Sequence, residues 1–200
     1  MALFRLSLFV EPNTVVRGKQ VYLRYAEMRD YEDWARLRAQ SREFLEPWEP
    51  TWPTDDLSRA AFRRRLRRNR DEILGDEAYP FLIFRIADNA LVGGLTLGQV
   101  RRGVAQTATL GYWMGEAYAG QGLMSSAVRA VIDHAFGPLG LRRIEAACLP
   151  HNQRSVHLLE RLGFRKEGIA RAYLQINGRW QDHLFFALLD SDVPPPVKQR

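Results

Sequence analysis

The stretch Gly111–Ala127, GYWMGEAYAGQGLMSSA, constrains this chain more than any other. Apolar residues run to Met114, glycines at 115, 120 and 122 interrupt them, and a second apolar run follows. That order predicts a strand over Ala105–Met114, a loop, and a helix from Gly120 to Phe136 that Gly137-Pro138 stops. Glycine lets the backbone approach a ligand closely. The N–H groups left open there lie at a helix N-terminus, where the macrodipole favours an anion. The segment therefore reads as a pyrophosphate cradle that needs neither metal nor lysine. It is no Walker loop, because no Gly-Lys-Ser/Thr follows. Nor is it a dinucleotide turn, because Ser125 stands where a third glycine belongs. Taken alone, the same glycines also fit a tightly packed turn.

A second signal lies in Pro150-His151-Asn152-Gln153-Arg154-Ser155, after an apolar run at Arg143–Leu149. Asn152 can cap a helix that runs through Leu162, with Gly163 just past its end. Asn152 and Ser155 are three apart and share one face of that helix start. They read either as a cap plus a surface serine or as a pair lining a cleft between two splayed strands.

The remaining pattern alternates between strands and helices. Gln20–Tyr25 reads as a strand, and Asp30 can cap a helix with Trp34 and Leu37 on one face. Three prolines in Phe44–Thr54, FLEPWEPTWPT, predict an ordered loop without regular helix. Thr54 can cap a helix carrying Leu57, Ala61 and Phe62, then the run Arg63–Arg70, whose arginines cover more than one face. Pro80–Ala87 and Leu91–Val100 flank a turn at Asp88–Asn89. Phe164–Ile176 and Arg179–Leu189 flank the hairpin signal Asn177-Gly178. The N-terminus, MALFRLSLFVEP, reads as a leading strand or arm rather than a signal peptide. The order is that of a mixed α/β domain with a central, largely antiparallel sheet, spanning residues 1–190, with a proline-rich tail over 191–200.

Composition narrows the function classes. The chain has 200 residues, 46% of them hydrophobic, enough for one domain with a full core. Its single cysteine, Cys148, excludes an internal disulfide and a cysteine-based zinc site, and points to a reducing, cytoplasmic setting. No apolar run reaches the roughly 18 residues of a membrane span. The net charge of +6 favours an acidic partner, RNA or an anionic cofactor, although an arginine-rich surface is also common without one.

The two signals together resemble the GNAT acetyltransferases, whose Q/R-x-x-G-x-G/A turn is here Ala117-Tyr118-Ala119-Gly120-Gln121-Gly122 and whose later helix ends in Gly163-Phe164. The segments EAYAGQGLMSSA, LEPWEP and the long block from Arg142 to Leu189 resemble the bacterial ribosomal-protein alanine N-acetyltransferases, the type acting on small-subunit ribosomal protein five. That resemblance runs from about Gly18 to Leu189. It implies a GNAT-like sheet of about seven strands with about four helices, splayed at its centre into a cofactor cleft. It implies acetyl-CoA as co-substrate, with no metal. The cofactor would be held by Trp113, Met114, Ala119, Gly120, Gln121, Gly122, Leu123, Met124, Asn152 and Ser155. The acceptor would be a protein N-terminus and the protein a monomer or weak homodimer; separately, the charge of the run Arg63–Arg70 could dock the enzyme on ribosomal RNA. Two positions depart from the general pattern. Ala117 stands where Gln or Arg is preferred. Leu159 stands where many members carry a tyrosine acid, so no tyrosine can act from there.

The implied chemistry is direct attack of a neutral amine on a thioester. A protein α-amine has a pKa of about 7.7–8.0 against about 10.4 for lysine, so it needs only modest help from a base. Glu49, in a rigid Pro-Trp-Glu-Pro loop, is the first candidate for that base, and His183 the second. By the resemblance Ser155 is the acid, and the backbone near Met114 is a source of an N–H for the oxyanion. Trp48 would wall the acceptor, and Tyr173 could contact it. Asp182 and His183 are adjacent on a strand, so at most one faces the cleft. His134 and His157 show no metal-ligand spacing. Two other functions stay open at this level: acetylation of a small amine, and an RNA- or ribosome-binding protein with vestigial catalysis.

Overall fold

The computed structural model describes residues 14–193. Eight strands form one sheet: β1 Val15–Arg17, β2 Val21–Tyr25, β3 Tyr79–Arg85, β4 Leu91–Arg101, β5 Thr107–Met114, β6 Arg143–Cys148, β7 Arg165–Ile176 and β8 Arg179–Leu189. Their spatial order is β1-β2-β3-β4-β5-β6-β8-β7. All neighbours pair antiparallel except β5 and β6, which are parallel. The helices are α1 Tyr31–Gln40, α2 Arg42–Leu45, α3 Arg59–Leu74, α4 Leu123–Phe136 and α5 Gln153–Arg161.

Strand β3, YPFLIFR, shows how the layers are stacked, because a strand buried on both faces reads as a continuous apolar run. Phe81 and Ile83 point to one face and pack in the cluster that holds Leu123, Val128 and Val131 of α4. Leu82 and Phe84 point to the other and join Trp34 and Leu37 of α1 and Phe62 of α3. Each such side chain contributes roughly 1.5–3 kcal/mol when fully buried.

The structure has one strand and one α-helix more than expected, among the described residues. The three residues of β1 are too few for alternation to register, and α2 is a single turn restarted after Ser41. The proline loop is also less irregular than expected. Helix α2 reaches Leu45 and a 3-10 turn covers Glu46–Trp48, with Pro47 near its start, where a missing N–H is harmless. Asp30 is the N-cap residue of α1, as expected, but its side chain makes no capping bond. Its carboxylate accepts two bonds from Arg24 and one from the Glu27 N–H. Ser58, not Thr54, caps α3, with its Oγ accepting from the Ala61 N–H at 3.1 Å. Residues 54–57 are taken up in turns that position that serine. The expected N-terminal strand or arm lies outside the described residues. In the tail, Asp190–Asp192 forms a 3-10 turn and residues 194–200 lie outside the described ones.

One feature of the pairing makes the site. Strands β5 and β6 stay in register only from Thr107↔Arg143 to Leu110↔Ala146. Beyond that, β5 continues to Met114 against β4, while β6 continues to Cys148 against β8. The two strands part, and a cleft opens between them.

Candidate active site

The cleft has a volume of about 800 Å³. The β5–α4 junction forms one wall. Gly120 and Gly122 have φ of +76° and +77°, which a side chain resists, and nothing lies within 4 Å of where a Cβ on Gly120 would point. No amide from Gly120 to Ser125 finds an acceptor among the described residues, and α4 has no side-chain cap. A row of N–H groups thus faces open space at the positive end of a helix. Gly115, at the start of the loop, is required for a different reason. A Cβ there would lie 2.4 Å from Leu37 Cδ1. The Gly115 N–H donates to the Val92 carbonyl on β4, so by alternation the Met114 N–H points the other way, into the splay.

Helix α5 forms the opposite wall. Asn152 Oδ1 accepts from the Ser155 N–H at 3.2 Å, which closes the first turn and fixes the Ser155 side chain. Ser155 Oγ lies 2.6 Å from the Tyr112 hydroxyl, across the gap between β5 and α5. Burial pushes the Tyr112 phenol well above its ordinary range, with the Ser155 bond opposing it, so the phenol keeps its proton. Burial also raises the Cys148 thiol, which adjoins Ser155 and is likewise protonated.

The third wall comes from the proline loop and the β7–β8 hairpin. Both oxygens of Glu49 are occupied. Arg38 Nη1 and Nη2 donate at 2.7 Å each, and Trp52 Nε1 donates at 2.7 Å. Arg38 itself is buried, with its guanidinium carbon 4.0 Å from the Trp52 ring centroid and 4.9 Å from that of Trp113. Such a pair costs desolvation, and the fork geometry with a third donor offsets that cost. The Glu49 carbonyl accepts from the Asn177 N–H at 3.0 Å, so the loop is fastened to the hairpin turn. Asn177 and Gly178 both have positive φ, the two-residue turn that suits right-twisted strands. Trp48 sits with its ring 5.5 Å from that of His151, and Arg154 lies over Phe44 at 5.2 Å. His183 is buried on the cleft wall. Its Nδ1–H donates to the Gln181 carbonyl at 2.9 Å, which leaves Nε2 with the lone pair. Asp182 is exposed on the other face and accepts from the Ala172 N–H at a β-bulge.

An amide row, a half-buried hydroxyl pair and a charged wall thus meet in one splayed sheet. The acetyltransferase (GNAT) domain profile fits residues 20–165. The chain belongs to the GNAT acetyltransferase family. Over 89% of its length it is 40% identical to the probable N-acetyltransferase YjcK of Bacillus subtilis (strain 168), covering 98% of that protein. It is 34% identical to the ribosomal protein uS5-alanine N-acetyltransferase of Escherichia coli (strain K12), over 92% of this chain and 95% of that one. Mycobacterium smegmatis RimJ in complex with CoA-disulfide has a TM-score of 0.84 to it at 35% identity, over 92% of this chain and 88% of that one.

In this GNAT chain the cleft collects most of the residues singled out from the sequence. Met114, Ala119, Gly120, Gly122, Leu123, Met124, Asn152 and Ser155 line it, as do Trp48, Glu49 and His183. Trp113 also lines it, but its indole lies over Gly94 on the α1 side of the sheet, against Arg38. Gln121 does not line it; its side-chain amide turns back to the Ala117 carbonyl. Tyr173 stands behind the wall, edge-on to His183 and Phe185 at 5.7 and 5.8 Å between ring centroids. His134 is half-buried on α4, edge-on to Phe81, and His157 is exposed on α5. No group of three or more His, Cys, Asp or Glu that could hold a metal occurs among the described residues.

Two residues were not read from the sequence. Tyr112 has a signal: it lies two residues before Met114 on a strand, hence on the same face. Arg38 has a weaker one, four residues after Trp34 on α1 and next to Leu37. Nothing in the sequence pairs it with Glu49.

Proposed function

We propose that this acetyltransferase moves the acetyl group of acetyl-CoA to the N-terminal α-amine of a ribosomal protein, with alanine as the first residue, by direct attack within a ternary complex. The observation that carries the reading is the Tyr112–Ser155 pair, set between the open amide row and the Glu49 wall. The name of the uS5-alanine relative supports the acceptor.

Bound acetyl-CoA supplies an activated thioester. The amides from Gly120 to Ser125 suit its pyrophosphate, since they offer several unpartnered donors and a favourable dipole in place of a metal. The Met114 N–H stands ready for the oxyanion. Ser155 Oγ is the proton donor to the departing thiolate. A serine alone is a poor acid; the Tyr112 phenol 2.6 Å away keeps its own proton and holds Ser155 Oγ by a hydrogen bond, so that the serine O–H is aimed at the departing thiolate and the proton it gives is restored from solvent. This restores a tyrosine to the reaction from β5, where the usual helix position holds Leu159.

On the acceptor side, the Glu49 oxygens already accept three N–H bonds. Glu49 therefore attracts and orients the amine, in place of the proton-accepting role expected from the sequence. His183 Nε2 takes the proton, with its ring held by the Gln181 carbonyl and backed by Tyr173. Trp48 forms the apolar wall for a small first side chain. The reading places the enzyme in the cytoplasm with its acceptor. No helix among the described residues is long and apolar enough to cross a membrane.

Thiol release is the test. With acetyl-CoA and short peptides beginning Ala, Ser or Met, turnover should be fastest with Ala and absent with N-terminally blocked matches. Turnover of small amines with no turnover of free peptides sinks the acceptor assignment.

A further inference from the structure

We infer that the outer face of α3 is an RNA-docking surface, in which Arg63, Arg67 and Arg70 bind backbone phosphates. The choice of RNA over other polyanions rests on the ribosomal acceptor proposed above; the surface itself rests on geometry.

Helix α3, RAAFRRRLRRNRDEIL, carries arginines at 59, 63, 64, 65, 67, 68 and 70, but they are not equivalent. Arg59 pairs with Glu32, Arg64 with Asp55, Arg65 with Asp56 and Arg68 with Glu72. Arg63, Arg67 and Arg70 are exposed and make no ion pair or hydrogen bond among the described residues. Their spacing of i, i+4 and i+7 puts them on one stripe, spanning about 10 Å of helix axis. The paired acidic residues neutralise the flanks; on the stripe side the one carboxylate of α3 is the exposed Asp71, four residues after Arg67 and in no ion pair among the described residues, so three arginines face one acid.

The helix's own stability does not account for the stripe. Phe62 is the one buried residue of α3, so packing fixes its N-terminal half and asks nothing of the outer face. Like charges three and four apart on a helix are unfavourable. A nucleic-acid backbone relieves that cost. It presents regularly spaced charges, and guanidinium groups can bind phosphate through two parallel N–H bonds. The surface has no role in the reaction itself, because none of the three arginines lines the cleft.

The test uses the full chain with a labelled RNA hairpin, following anisotropy between about 50 and 200 mM salt. Three phosphate contacts predict a slope of log affinity against log salt near −2 to −3 from this stripe. The triple variant Arg63→Gln/Arg67→Gln/Arg70→Gln should lose about tenfold or more in affinity at low salt and that much of the slope. Arg64→Gln, whose guanidinium already has a carboxylate, should change little. An unchanged slope in the triple variant, or no binding by the parent chain, overturns the proposal. So does tighter binding to phosphatidylglycerol vesicles or to polyglutamate than to the hairpin. Circular dichroism confirms that α3 is retained. Peptide acetylation, measured in parallel, should be equal in parent and triple variant; its absence in both would refute the acceptor reading and leave the RNA result standing.

Discussion

The two sides of the cleft are built on different principles. The cofactor side is made from backbone: open amides, two glycines with positive φ, and one helix cap, all within Gly115–Ser125 and Asn152–Ser155. The proposed acceptor side is made from side chains of α1, the proline loop and the last hairpin, joined by Arg38, Glu49, Trp52 and the Asn177 backbone. Backbone donors recognise a phosphate group that never varies. Side chains can be exchanged one at a time, so the variable partner is read by the side that can change.

If that division holds, the two sides should fail separately. The largest effect belongs to Gly120→Val. A β-branched residue is strained at φ +76° and would displace the amide row, so CoA affinity measured by calorimetry should fall roughly 100-fold. Retained affinity would break the backbone half of the comparison.

Next are Ser155→Ala and Tyr112→Phe, which lie where the two sides meet. Each should lower kcat by about 100-fold with little change in CoA affinity, a loss typical of a positioned proton donor. Because they act as one hydrogen-bonded pair, the double variant should be no slower than the slower single variant. Additive losses would show two independent roles.

Arg38→Gln probes the acceptor side. It leaves Glu49 without its fork partner, at a cost of about 2–3 kcal/mol in unfolding free energy, because Glu49 retains some contact with water. KM for the peptide should rise while CoA affinity stays constant; an equal loss in both would mean that the sides are not separable.

The smallest effect is that of Asn152→Ala. Loss of the α5 cap should cost about 1 kcal/mol, or 2–4 °C in Tm, and lower kcat through Ser155 more than it raises KM for CoA. An unchanged Tm would show that the cap bond contributes nothing to α5.

The legibility of the site follows the same division. The cradle was readable because its determinants are local: glycines, a strand end and a helix start within one short segment. Asn152 and Ser155 were readable for the same reason. Tyr112 was visible only as an apolar strand residue, since its partner lies on another element. Ser58 takes the place of Thr54 as the α3 cap because the intervening turns set the geometry, and the sequence just before α3 holds four residues of capping type, Thr54, Asp55, Asp56 and Ser58.

The sequence by itself determined the mixed sheet, the strand–glycine–helix cradle and the capped helix beside it, because periodicity, φ preference and capping act over a few residues. Only the tertiary structure decided that β5 and β6 part after Leu110, that Tyr112 meets Ser155, and that Glu49 is held by Arg38 and Trp52. Those facts depend on strand register and on which faces of the sheet α1 and α5 cover, and no local rule sets either.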